Sequence, residues 1–170
     1  MTTASHLVCL LLGSNIRPEA NLPEAAARLR GQLEVLRVSS VWETPPAAGR
    51  GPNFLNAALL ARTDLAAEEL KREVLRPLEA HLGRVRGADK NAPRPIDLDI
   101  VLYDERLLDG GLWQHAHRAV PVAEVLPDYR SATGERLTQA ARRLAVATPV
   151  RLRREVSIAA AQTAIQDDRK

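Results

Sequence analysis

The segment Leu7-Val8-Cys9-Leu10-Leu11-Leu12 carries no polar side chain and stops at Gly13-Ser14-Asn15. A continuous apolar run of this length, closed by turn residues, predicts a central strand buried on both faces that leaves into a turn. A helix is expected next. From Pro18 to Leu33 the apolar residues Leu22, Ala25, Ala26, Leu29 and Leu33 recur at helical spacing, and Pro18 suits a first turn. Val35 to Trp42 then alternates as a second strand. Thr44 to Pro52 holds three prolines and two glycines, so it predicts a long loop rather than regular structure. Phe54 to Arg62 follows as a third strand, and Asp64 caps a helix from Leu65 to about Leu82 that kinks at Pro77 and stops at Gly83.

Ile96 to Leu102 makes a fourth strand, and the order βαβ then βαβ predicts an α+β fold, a ferredoxin-like βαββαβ sandwich. Val120 to Leu126 and Leu137 to Leu144 predict additional C-terminal helices, with Val150 to Val156 a strand or an extended arm. The expected division is one domain over residues 1–156. Residues 157–170 form a C-terminal tail, a loose helix or disordered.

Composition narrows the function classes. The chain has 170 residues, 45% hydrophobic and 26% charged, as expected of one globular domain. Its net charge of +3 is spread along the sequence, which argues against a general nucleic-acid binder. A single Cys9 rules out an intrachain disulfide, and no stretch approaches the roughly 18 apolar residues of a membrane span. A cytoplasmic protein is expected, and a monomer.

Three segments carry chemistry. In Ile96-Asp97-Leu98-Asp99-Ile100 strand alternation sends the aliphatics to one face and both aspartates to the other. Residues two apart on a strand lie roughly 6 to 7 Å apart at Cα, close enough for both carboxylates to approach one or two hard cations. A solvated acidic strand face is the plain alternative, but Asp is a poor strand former and two adjacent like charges need an external reason, which Mg²⁺ supplies. Upstream, Arg84, Arg86, Lys90 and Arg94 place four cations in eleven residues on a glycine-containing segment, a layout suited to a polyphosphate beside a metal-carboxylate pair. Arg84 and Arg86 are otherwise a solvated helix end. Phe54 and Asn56 share a strand face, where a ring and an amide can hold a planar heterocycle or serve as one core Phe and an edge Asn. Gly13-Ser14-Asn15 lacks nucleotide-motif spacing and reads as a turn and cap.

Together, Gly13-Ser14-Asn15, Thr44-Pro45-Pro46, Pro52-Asn53-Phe54-Leu55-Asn56-Ala57, Gly83-Arg84-Val85-Arg86 and Pro93-Arg94 before Asp97-Leu98-Asp99 resemble the hydroxymethyldihydropterin pyrophosphokinases. The resemblance covers about residues 5 to 105. It implies transfer of pyrophosphate from ATP to 6-hydroxymethyl-7,8-dihydropterin in folate biosynthesis. It also implies that Asp97 and Asp99 hold two Mg²⁺ ions and act in catalysis with Arg84 and Arg94. Glu79, Arg84, Arg86, Lys90 and Arg94 would contact or enclose ATP, while Phe54 stacks on the pterin, Asn56 bonds its edge and Thr44-Pro45 completes the pocket.

Two places depart from the family pattern. Asn91 stands where the family carries a bulky aromatic, and the stretch before Val120-Pro121 is shorter and has no Phe, leaving His115, His117 and Arg118. The second pterin wall then falls to His117 or Trp113. A ferredoxin-like RNA-binding module and a catalytically impaired family member are the alternative readings.

Overall fold

The structure is a computed structural model and describes residues 5–160. In chain order the elements are β1 (His6–Ser14), α1 (Pro18–Arg30), β2 (Glu34–Val38), β3 (Trp42–Thr44), β4 (Phe54–Thr63), α2 (Ala67–Leu70), α3 (Arg76–His81), β5 (Asp97–Tyr103), β6 (Arg106–Leu107), α4 (Ala116–Val125), α5 (Leu137–Ala147) and β7 (Arg151–Leu152). The strands form one sheet in the order β6-β5-β1-β4-β3-β7, with β2 also on β4, and every pairing is antiparallel. The fold is therefore a mixed one of helices on an antiparallel sheet, and β1 occupies the middle as its unbroken apolar run requires.

Alternation along β1 feeds two cores. Val8, Leu10 and Leu12 pack with Leu22, Ala25, Ala26 and Leu29 of α1 and with Leu70 and Leu78 of α2 and α3. Cys9 and Leu11 face the other way, against Ala119, Val122 and Val125 of α4 and Leu137 and Ala141 of α5. Each fully buried leucine contributes about 2 kcal/mol of transfer free energy, so two leucine-rich layers offset the scarcity of aromatics. Burial pushes the Cys9 thiol up to about 12, which leaves it an inert apolar filler.

Several boundaries differ from expectation, each for a local reason. The second strand breaks at Ser39, whose hydroxyl accepts the Ala58 N–H at 2.8 Å and so replaces a ladder bond. Asp64 does not cap the next helix; Ala66 begins it, and the Glu69 carboxylate accepts the Ala66 N–H at 3.1 Å. The break attributed to Pro77 falls one turn earlier, as a π turn over Lys71–Leu75, which accommodates the donor that Pro77 lacks. Gly83 does end this helix: at φ +91° its N–H reaches Ala80 O and that of Arg84 reaches Glu79 O, a Schellman closure. Helix α4 starts ahead of Val120, at Ala116, so Pro121 lies inside it rather than in its first turn. Gly13-Ser14-Asn15 gives no side-chain cap to α1, whose N-cap is Arg17 in the left-handed region.

The packed chain also continues past the expected boundary at 156. Ile158 is 1% exposed and joins the α1 core, and Arg30 donates to its carbonyl. The remainder of the expected tail, residues 161–170, lies outside the described residues. Replacing Ile158 by Ala is expected to cost about 2–4 kcal/mol in denaturant unfolding. A cost under half a kilocalorie would mean that the segment is not part of the core.

Candidate active site

The site lies on the sheet face that α4 and α5 cover only in part. On that face the alternation of β5 presents Asp97 and Asp99, β1 presents Leu11 and Gly13, and β4 presents Phe54 and Asn56. Leu98 points oppositely into the α1 core, with Ile96 beside it, as the alternation predicts. Register across the sheet sets Gly13 opposite both Asn56 and Asp97, so the three residues form one row. A side chain at Gly13 would stand 3.5 Å from Asn56 Oδ1 and 3.9 Å from the Phe54 ring, so glycine keeps the floor low.

Two clefts open above this floor. One, of about 250 Å³, is lined by Thr44, Pro45, Phe54, Asn56, His117 and Arg118 among others. The second, of about 380 Å³, is lined by Arg76, Glu79, Arg84, Arg86, Gly87 and Asp89 among others. Lys90, Arg94, Asp97 and Asp99 line both.

Glu79 organises the second cleft. It is 3% exposed, and its carboxylate accepts from Arg84 Nη1 at 2.7 Å, from Arg86 Nη2 at 2.7 Å and from the Leu98 N–H at 2.9 Å. The last bond exists because β6 pairs only with Leu102 and Tyr103, which leaves the start of β5 with an open edge. Arg84 bridges onward to Asp97, and Arg94 Nη1 meets the other Asp97 oxygen at 2.9 Å. Arg94 also lies over the Phe54 ring, 6.0 Å from its centroid. Asp97 is thus paired, whereas Asp99 accepts no hydrogen bond among the described residues. Burial, with Asp97 and Asp109 nearby, pushes the Asp99 carboxyl up to about 6.

In the first cleft Asn56 donates to Thr44 Oγ1 at 2.9 Å and more weakly to Trp42 O at 3.4 Å. Both bonds use its nitrogen, so Oδ1 remains an acceptor directed at the row of Gly13. His117 stacks on His115 with ring centroids 5.4 Å apart. Burial, helped by Arg118 and His115, lowers its pKa to about 4, so the ring is neutral near pH 7. Trp113 is elsewhere: it stacks on Tyr129 at 6.0 Å within the α4 and α5 core and lines neither cleft.

The contacts of Asn15 and of the Asp109, Gly111 and Arg118 group were not given by the sequence reading. Asn15 Oδ1 accepts the Arg94 N–H at 2.7 Å, its own backbone N–H donates to Arg94 O at 3.2 Å, and its Nδ2 donates to Pro52 O at 3.4 Å, which ties the two flanking loops together. Arg118 is held by Asp109 at 2.7 Å. Gly111 makes room for it, since a Cβ there would stand 3.0 to 3.1 Å from Arg118 and His115. Asn15 was visible only as a turn residue, and the Asp109-Gly111-Arg118 group has no spacing that marks it.

Replacing Glu79 by Gln removes the charge that two guanidinium groups share and turns an amide N–H₂ toward them. A loss of about 3 kcal/mol is expected in chemical denaturation. An unchanged midpoint would mean that Arg84 and Arg86 do not depend on Glu79.

Comparison with known proteins shows the family to which the chain belongs. A family profile described as 7,8-dihydro-6-hydroxymethylpterin-pyrophosphokinase (HPPK) matches residues 9–127. A 2-amino-4-hydroxy-6-hydroxymethyldihydropteridine pyrophosphokinase of Methylorubrum extorquens is 36% identical over 129 residues, covering 69% of this chain and 80% of that protein. The mitochondrial folate synthesis bifunctional protein of Arabidopsis thaliana is 35% identical over 135 residues, covering 73% of this chain. The chain spans only 24% of that longer relative. Among solved structures, the wild-type HPPK-DHPS of Plasmodium falciparum superposes with a TM-score of 0.65 at 11% identity, over 84% of this chain and 41% of that one. On the extent of the profile match and these identities, the chain belongs to the 7,8-dihydro-6-hydroxymethylpterin-pyrophosphokinase family.

Proposed function

We propose that this chain transfers the β,γ-pyrophosphoryl group of ATP to 6-hydroxymethyl-7,8-dihydropterin, giving AMP and the pterin diphosphate for folate synthesis. The observation that carries this reading is the meeting of two unlike clefts at Asp97 and Asp99, one lined by a ring and an amide, the other by arginines. A planar acceptor in the first and a triphosphate in the second bring the acceptor oxygen and the phosphate chain together at the shared carboxylates. The order β5-β1-β4 with β2 and β3 beyond supports a ferredoxin-like βαββαβ sandwich with additional C-terminal helices.

In this reading Phe54 supplies one stacking face and His117 the other, while Asn56 Oδ1 accepts from the amino or ring N–H donors of the pterin. Thr44 holds the Asn56 amide in that orientation, and Pro45 closes the side of the cleft. Arg84 and Arg94 exchange Asp97 for phosphate oxygens, and Arg86 and Lys90 add charge around the triphosphate. Glu79 holds Arg84 and Arg86 in place. The pterin hydroxymethyl oxygen attacks the β-phosphorus, the bond from that phosphorus to the α,β-bridging oxygen breaks, and the hydroxyl proton is lost to solvent as AMP departs.

Asp97 and Asp99 suit Mg²⁺: burial, and after it the neighbouring Asp97 carboxylate, raises the Asp99 pKa, and a divalent cation would offset both effects. An ion held by these two carboxylates would draw its other ligands from phosphates and water. Two Mg²⁺ ions held there would supply charge neutralisation for the triphosphate.

The direct test is AMP release from ATP with and without 6-hydroxymethyl-7,8-dihydropterin, which is expected to depend on the pterin. An RNA-binding module or an impaired relative would release none. Asp97→Asn is expected to lower turnover by at least about 100-fold while the protein stays folded; activity close to the parent at limiting Mg²⁺ would refute the metal assignment. His117→Ala is expected to weaken pterin binding and spare ATP binding, with His117→Phe restoring it, both measured by calorimetry. The low pKa of His117 has a sign that can be checked. The folded ring protonates only near pH 4, below the ordinary value of 6.5, so its burial favours folding fully above pH 6.5 and loses that contribution as pH falls through 6.5 toward about 4. A midpoint near 6.5 by NMR titration would mean that the ring is solvated and forms no wall.

A further inference from the structure

The arm after α5 lies outside the part of the chain matched by the family profile, yet it reaches the neck of the loop beside the first cleft. β7 pairs with β3 and covers its edge, setting Trp42 opposite Leu152 and Glu43 opposite Arg151. Arg153 follows with its N–H on Val41 O at 2.9 Å. Buried Val156 and Ile158 then anchor the arm in the α1 core, so Arg153 sits on a held backbone.

Glu43 and Asn53 flank the loop Thr44 to Pro52, and their side chains close its neck: Asn53 Nδ2 donates to Glu43 Oε1 at 3.1 Å. The other Glu43 oxygen accepts from Arg153 Nη1. That guanidinium also meets Glu155 through Nε at 2.5 Å and Glu19 of α1 at 3.4 Å, and its side chain is only 17% exposed. Arg153 therefore bonds three carboxylates, Glu19, Glu43 and Glu155, with Arg151 a further cation near Glu43 and Glu155. The Asn53 bond, and after it Arg153, hold the Glu43 carboxyl below its ordinary range. Removing the Arg153 cation would leave like charges facing one another, and Glu43 would no longer be held against Asn53.

Thr44, Pro45, Pro46, Ala47 and Ala48 line the first cleft, and Phe54 follows Asn53 directly. Arg153 itself lines neither the first cleft nor the second. We propose that Arg153 is a positioning residue for the acceptor cleft, holding Glu43 so that the Glu43–Asn53 clasp sets the Thr44 to Pro52 loop and the approach to Phe54. This rests on the reading that the cleft takes the pterin.

The test uses the full chain with Arg153→Met, Glu43→Gln and the double variant. For Arg153→Met, KM for 6-hydroxymethyl-7,8-dihydropterin is expected to rise roughly 5- to 10-fold, the scale of one charged hydrogen bond acting through the loop. KM for ATP should stay within about twofold. Glu43→Gln should reproduce the rise, and the double variant should be no worse than Arg153→Met, because the two side chains act in one chain of contacts. Hydrogen exchange over residues 44–53, measured without substrate, should become faster in Arg153→Met. A lower melting temperature with pterin KM and loop exchange unchanged would overturn the proposal and leave the arm a structural strap, as would additive effects in the double variant. Absence of pterin-dependent AMP from the parent protein would instead sink the assigned reaction, and the exchange measurement alone would then decide whether Arg153 holds the loop.

Discussion

The buried carboxylate of Glu79 is the contact on which the polar half of the molecule depends. A carboxylate at 3% exposure is costly unless every lone pair has work, and here two guanidinium groups and a strand N–H share it. The same bonds connect three structural levels. They close the open edge of β5, they hold Arg84 and Arg86 at one cleft wall, and through Arg84 they reach Asp97. Glu79 lies in the last turn before the Gly83 closure, so the helix stop and the cation array are placed by one short segment.

The site itself follows from division of labour on a single sheet. One face is consumed by the α1 and α3 core, so its alternation sends aliphatics from β1, β4 and β5 there, joined by Tyr103 at the end of β5. The opposite face is covered by α4 and α5 at one end only, and at the other end cleft residues take over at the same parity: Asp97 and Asp99 precede Val101, and Phe54 and Asn56 precede Ala58 and Leu60. The loops that wall this end are joined to each other by Asn15 and to the sheet edge by the Glu43–Asn53 clasp.

Electrostatically the site holds groups pushed away from their ordinary ionisation. Asp99 lies in a partly dry position beside a second carboxylate, which raises its proton affinity, while His117 is pushed the other way into its neutral form. Asp97 is held by arginines whose charge also suits phosphate.

Much of this was legible in the residue order. The unbroken run of β1 required a central strand, the Asp-Leu-Asp alternation required two carboxylates on one face, and both follow from the two-residue period of a strand, which is local. Gly83 ended its helix where its backbone freedom permits. Elements whose limits depend on distant partners were not legible. Ser39 breaks a strand because Ala58 lies opposite, the helix after β4 widens ahead of Pro77, and α4 begins before its proline because Ala116 and Ala119 are buried. Between Trp113 and His117 the residue order makes no choice; packing sets Trp113 on Tyr129, while His117 lines the same cleft as Phe54. The sequence by itself determined which atoms carry charge and on which face of a strand they emerge. Only the tertiary structure decided that Glu79 supports two arginines, that Asn15 joins two loops, and that Arg153 reaches Glu43 across 110 residues of chain, because such bonds depend on distances that no local period encodes.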